Sequence, residues 1–334
     1  MSIRNTWVSV LLLAGILSSL PSWGADIQFQ FNAGFSDPRP ATPQPGNPGT
    51  TLGEQRRNLF EAAGQVWGGI INSQVTIVVE AEFADLQCGP GGAVLGSAGS
   101  GFSSNSNLMG GLVLYPPALE NALLGSDQDP GQADIQARFN ENLDDGNCPG
   151  FGGFYYGLDN NAGPGESALF STVLHEIAHG LGFSSLIGSD GTLPMSGATE
   201  FPGIFDLFLF DANDGPNGTL LVDLSVVDRA ASVLDDPNLV WDGPNVNGAL
   251  AGQITGGING GRLRMYAPAA FQGGSSVSHF STDVTPNLLM EPFLTPDLTP
   301  GATDLTPLLF RDLGYTVSVP AADLVFASGF EGGP

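Results

Sequence analysis

Three histidines occur in the 334-residue chain, and two of them stand four apart in the run HEIAHGLGF, His175 to Phe183. At about 100° per residue, a helix sets His175, Glu176 and His179 within an arc of roughly 100°. Phe170, Val173, Leu174, Ile177 and Leu181 follow i, i+3, i+4, i+7, i+11 spacing and centre on the opposite face. One face can pack into a core while the other carries two imidazoles and a carboxylate into a cleft. That pattern suits zinc: two neutral ring nitrogens bind the metal, and the adjacent glutamate handles protons of a bound water. Histidines at this spacing beside a glutamate also arise by chance. The continuation favours a built site, because Gly182 can leave the helix with φ > 0 just past the second histidine.

Composition narrows the class. The length allows one large domain or two lobes with a real core. Hydrophobic residues make up 42% and charged residues 13%, so the chain is not of the disordered kind. Acids number 34 against nine bases, and the net charge is −25, which argues against nucleic acid and anionic membrane surfaces as partners. Some carboxylates could hold structural Ca2+, since hard cations take oxygen ligands. The nearest approach to a calcium loop, Asp211-Ala212-Asn213-Asp214-Gly215, lacks the full spacing and reads as a turn.

Met1 to Gly24 reads as a secretory signal: Arg4, the apolar run Trp7 to Leu20, then Ser22-Trp23-Gly24 with small residues at −3 and −1. No later segment is apolar for long enough to span a bilayer. An exported chain with two cysteines, Cys88 and Cys148, is expected to join them as a disulfide. The competing reading has Cys88 covering the metal in a latent form.

Asp26 to Asn32 and Val75 to Phe83 alternate as strands, and Glu54 to Ile71 has helical spacing. Gly89 to Asn107 reads as a Gly/Ser loop. Leu112 to Tyr115, Ala133 to Phe139 and Gly152 to Gly157 read as further strands, and Leu220 to Leu234 as a helix. Ser36 to Gly53 is a Pro- and Gly-rich loop with no periodicity, and Gly243 to Gly261 is rich in Gly and Asn. The order predicts an α+β fold with a twisted mixed sheet and an active-site helix. Its expected parts are a signal (1–24), a lobe bearing the zinc helix (25–185), a second lobe (186–318) and a tail (319–334).

A catalytic zinc takes three protein ligands and keeps a position open. In compact metzincin peptidases the third is a histidine six residues after the second, and here that position is Ser185. The remaining histidine is His279, in GGSSVSHFSTDVTPNLLMEP, with Met290 eleven residues on. Glu200, in GATEFPG, is the rival, as a glutamate 21 residues after His179. With HEIAHGLGF, SVSHFS and NLLMEPFL together, the chain resembles the metzincin zinc peptidases in their leishmanolysin-like layout, where a long insertion separates HExxHxxGF from the third histidine and a methionine turn. The flanks FYYGLDNNAGPGESALFSTV and LLFRDLGY resemble an exported bacterial group of such proteins, over most of residues 26–315.

That resemblance implies His175, His179 and His279 as zinc ligands, Glu176 as general base, Met290 as the floor of the site, and residues 186–278 as the insertion. It implies a secreted zinc endopeptidase, expected to act as a monomer on protein or peptide substrates. A strand before the helix, within Gly152 to Gly157, is expected to pair with an extended substrate. A catalytically silent binding protein and a zinc hydrolase of non-peptide substrates remain the alternatives.

Overall fold

The computed structural model describes residues 24–318 except 90, 91, 106, 294, 296, 297 and 299–302, so the expected signal and tail lie outside it apart from Gly24. Helix α1 (Leu52–Ile70) begins at a capping box: Thr51 accepts the Glu54 N–H and the Glu54 carboxylate accepts the Thr51 N–H. Its apolar stripe, Leu59, Phe60, Ala63 and Trp67, is fully buried. The stripe packs against a four-stranded sheet built from β1 (Ile27–Phe31), β2 (Ile77–Ala84), β3 (Gly96–Gly99) and β4 (Ile135–Asn140).

The sheet order is β1-β2-β4-β3. β1, β2 and β4 run parallel, and β3 returns antiparallel along β4. In β2 the alternation is complete: Ile77, Val79, Ala81 and Phe83 point into the core, and Phe83 stands in register with Phe139 of β4. Phe35, Phe60, Phe83 and Phe139 pack edge-on or tilted beneath the sheet, with Phe60 and Phe139 centroids 4.8 Å apart. The architecture is thus α+β with a small mixed sheet, and no helix among the described residues is long and apolar enough to cross a membrane.

Three expectations need correction. The Gly/Ser stretch is not all loop, because Gly96–Gly99 forms the edge strand β3. Leu112 to Tyr115 makes only single bridges, Tyr115 to Ser103 and Leu114 to Gly203, before helix α2 (Pro117–Leu124). The segment Leu220 to Leu234 is not one helix: a 3-10 turn at Leu221–Asp223 precedes α4 (Val226–Ser232), which starts where Ser225 caps the Asp228 N–H. The Gly/Asn-rich stretch after Gly243 holds α5 (Pro244–Ala249) and leads into a short hairpin, Ile258–Asn259 with Arg262–Leu263.

Cys88 and Cys148 are joined as a disulfide, with Cα atoms 5.2 Å apart, tying the start of the Gly/Ser stretch to the chain that leaves β4. From there Phe154–Tyr155 pairs in parallel with Ser167–Ala168, which leads directly into α3 (Leu169–Gly180). Helix α3 lies against β3 and β4 and against α1, where Trp67 Nε1 donates to the Leu174 carbonyl at 3.1 Å. A later helix, α6 (Thr306–Leu313), closes the core from below through Phe310, which packs on Trp67.

One glycine sets how closely α3 meets the sheet. A Cβ at Gly180 would sit 2.2 Å from Ile135 Cγ2 and within 3 Å of two more Ile135 atoms. Gly180→Ala would gain about 1 kcal/mol of helix propensity against an overpacking cost of about 1–3 kcal/mol or more. The expected net result is a loss of about 1–2 kcal/mol, read as a lower urea midpoint at unchanged slope. An unchanged midpoint would show that Ile135 moves aside freely.

Candidate metal centre

All twelve residues of α3 are buried, so its polar side chains must be partnered. The helix ends as Gly182 turns left-handed at φ 117°, with Gly182 N–H bonded to the His179 carbonyl and Phe183 N–H to the Ala178 carbonyl. This reversal brings the Phe183 carbonyl back to His179, whose Nδ1 donates to it at 2.7 Å. The glycine therefore both ends the helix and supplies the acceptor that orients the second histidine.

His279 arrives from 100 residues beyond His179. Ser185 N–H donates to Ser278 Oγ at 3.0 Å, although 93 residues separate them. The segment 186–278 is thus looped out, with the residues at its two ends bonded to each other. Its first turn is held by Asp206, fully buried, whose carboxylate accepts Ser185 Oγ–H and the N–H groups of Leu186 and Gly203. Burial pushes the Asp206 carboxyl up to about 6 against those hydrogen bonds. Ser185 therefore tethers the chain leaving α3 to Ser278, next to His279, and to the buried Asp206. Glu200 pairs with the buried Arg229 at 3.1 Å and takes no part in the histidine cluster.

The three histidines meet at their Nε2 atoms: His175 to His179 at 3.0 Å, His175 to His279 at 3.1 Å, His179 to His279 at 3.2 Å. Each Nδ1 faces a carbonyl oxygen, Leu289 for His175 (2.7 Å), Phe183 for His179 and Ser275 for His279 (2.8 Å). A carbonyl can only accept, so each Nδ1 carries the proton and each Nε2 presents a lone pair. Three lone pairs converging at these distances repel unless a cation stands between them. Tetrahedral ligands at the zinc–imidazole distance lie roughly 3.3 Å apart, so the cluster fits a metal of that kind.

Burial pushes His175 down to about 3, with His179 beside it adding to the effect, and His179 down to about 4; His279 also falls well below its ordinary range, chiefly through burial. The rings stay neutral at neutral pH, as metal ligation requires. Among the described residues these are the one group of three His, Cys, Asp or Glu side chains with donor atoms within 4.8 Å of one another. The stretch from Asp211 forms a turn, its Asn213 N–H donating to Asp211 Oδ1.

Glu176 lies between the cluster and the sheet edge. It accepts a hydrogen bond from the Ala98 N–H of β3, and burial pushes its carboxyl up to about 8. A dication beside it would oppose that shift. A Cβ at Gly96 would come 3.0 Å from Glu176 Cγ, so the glycine at that position is what lets the glutamate fit. This strand, not Phe154–Tyr155, is the sheet edge beside the metal centre. The sequence held one signal for it: paired glycines, at 96 and 99, flanking two small residues.

Met290 is fully buried in the turn Leu288–Glu291, and its carbonyl accepts the Phe280 N–H at 2.8 Å, one residue past His279. The turn touches the cluster through Leu289, whose carbonyl holds His175. Tyr315 is structural, donating from its hydroxyl to the Leu181 carbonyl at 3.0 Å, while Tyr266 is bonded through its backbone N–H to the His279 carbonyl. No family model, no characterised protein and no solved structure matches this chain.

Proposed function

We propose that the protein is an exported zinc-dependent endopeptidase of metzincin type with the leishmanolysin-like order of site residues. The reading is carried by one observation, three imidazole Nε2 atoms converging within 3.2 Å beside a buried glutamate at a sheet edge. Imidazole ligands also suit copper, nickel and iron; an adjacent carboxylate for proton transfer is what zinc hydrolysis adds to that list. His175, His179 and His279 would hold the ion. Zinc, when bound in such a site, lowers the pKa of a water to about 7 and polarises a carbonyl.

The chain's own groups do the rest. Glu176 takes a proton at its carboxylate from the attacking water and returns it to the departing amine. The edge of β3 offers backbone groups to an extended peptide, aligning it along the helix that carries Glu176. Met290, buried in the turn whose Leu289 carbonyl holds His175, would form the floor of the site, and the insertion 186–278 would border it. The substrate is a protein or peptide, and the protein acts as a monomer.

The test is zinc content together with casein or gelatin digestion by purified mature protein, with and without chelator. About one zinc per chain is expected, with cleavage lost on chelation and restored by zinc. Metal without proteolysis would favour the binding-protein reading or a hydrolase of other substrates. Absence of metal would overturn the proposal.

A further inference from the structure

Four non-glycine residues among those described have left-handed backbone: Met109, Asn160, Val277 and Asp304, at φ 44°, 57°, 70° and 45°. Such conformations persist only where the surroundings over-determine them, and they cluster at functional sites. Two of the four stand against the histidine cluster. Val277 is fully buried two residues before His279, and Asp304 is buried beneath the turn that holds His175.

We propose that Asp304 is a positioning residue for the metal centre, gripping Leu289 so that the Leu289 carbonyl aims the His175 ring. The inference rests on the reading of the cluster as a metal site. Asp304 Oδ2 accepts the Leu289 N–H, and Oδ1 accepts the Thr306 N–H at 3.1 Å and the Thr306 hydroxyl at 3.0 Å. The same Leu289 gives its carbonyl to His175 Nδ1 at 2.7 Å. One residue is thus held on its N–H side by Asp304 and holds the ligand on its C=O side.

The three histidines differ in how they are oriented. His179 and His279 each use a carbonyl four residues away in their own segment, whereas His175 depends on a carbonyl 114 residues distant. Only His175 therefore needs an outside anchor, and the loop before α6 supplies it. A carboxylate is required because it accepts at both oxygens and donates at neither. An asparagine of the same shape would press its NH2 group against either the Leu289 N–H or the Thr306 donors.

The experiment compares wild type, Asp304→Asn and a control, Asp312→Asn. Asp312 likewise accepts at both oxygens, from Trp241 Nε1, the Asn245 N–H and Nδ2, and the Val246 N–H, but caps α5 away from the histidines. Zinc affinity is read by competition with a chromophoric chelator at a temperature where circular dichroism shows each variant folded, and the ligand field is read from the Co(II) absorption spectrum. Asp304→Asn is expected to bind zinc 10- to 100-fold more weakly and to shift the cobalt bands. The control should melt earlier with neither change. Should Asp304→Asn not fold, Asp304→Gly keeps the left-handed backbone without the carboxylate and is held to the same expectation. Wild-type affinity with an unshifted spectrum in a folded Asp304 variant would overturn the inference, as would an equal loss in the control. A wild type that binds no zinc would instead overturn the metal reading beneath it.

Discussion

Replacing His279 by alanine is expected to abolish zinc retention and bring peptide cleavage to the level of chelated wild type. Two imidazoles with Nε2 atoms 3.0 Å apart would remain, one short of the three-ligand set of catalytic zinc. The backbone around residue 279 should persist, because its carbonyl still accepts the Tyr266 N–H and the Phe280 N–H still reaches Met290. Deleting one of three mutually repelling lone pairs only partly offsets the cavity left by a buried imidazole and the unpaired Ser275 carbonyl, so the metal-free variant should unfold about 1–3 kcal/mol more easily than metal-free wild type. The gap should widen when zinc is added. At one hundred times its Kd, zinc stabilises wild type by about 2.7 kcal/mol, and His279→Ala should show no thermal shift at the same concentration. A variant that kept its zinc would place the third ligand elsewhere, and Glu200 could serve only by leaving Arg229.

What could be read from the chain is what local chemistry determines. The apolar stripe of α3, the alternation of β2 and the spacing of α1 each follow from side-chain period alone, and each element lies where its period put it, within two residues. β3 could not be read that way. Gly96-Ser97-Ala98-Gly99 has little strand propensity of its own; it is a strand because β4 offers a ladder, and at Gly96 a side chain would run into Glu176 and Phe139. The helical spacing read over Leu220 to Leu234 takes in Leu220 and Leu221, whereas the start signal of α4, the Ser225 N-cap, lies inside that run.

The site divides in the same manner. His175, Glu176 and His179 are fixed by one helix and are visible in five consecutive residues. His279 was nameable as the remaining histidine and by resemblance, yet the device that delivers it, the Ser185 to Ser278 contact with Asp206 beneath, joins residues 93 apart and has no local pattern. Asp304 is more remote still, since it acts through the backbone of Leu289. Residues that act through another group leave a trace in sequence only when the backbone between them is already known.

Glu176→Gln separates binding from chemistry. Glutamine keeps the shape and an oxygen to accept the Ala98 N–H, and it avoids placing a charge where burial pushes the carboxyl up to about 8. The variant should therefore fold at least as stably as wild type and hold the same zinc, since the three Nε2 donors are untouched. An amide cannot take up a proton, so kcat should fall by about 10²–10⁴-fold with KM little changed, the pattern of an interaction made only in the transition state. A fall in KM by the same factor would point instead to lost ground-state strain. Full activity would remove Glu176 from proton transfer, leaving the buried carboxylate beside Ala98 as a packing feature. Loss of zinc along with activity would mean that the carboxylate helps hold the metal, and the division of labour between Glu176 and the three imidazoles would have to be redrawn.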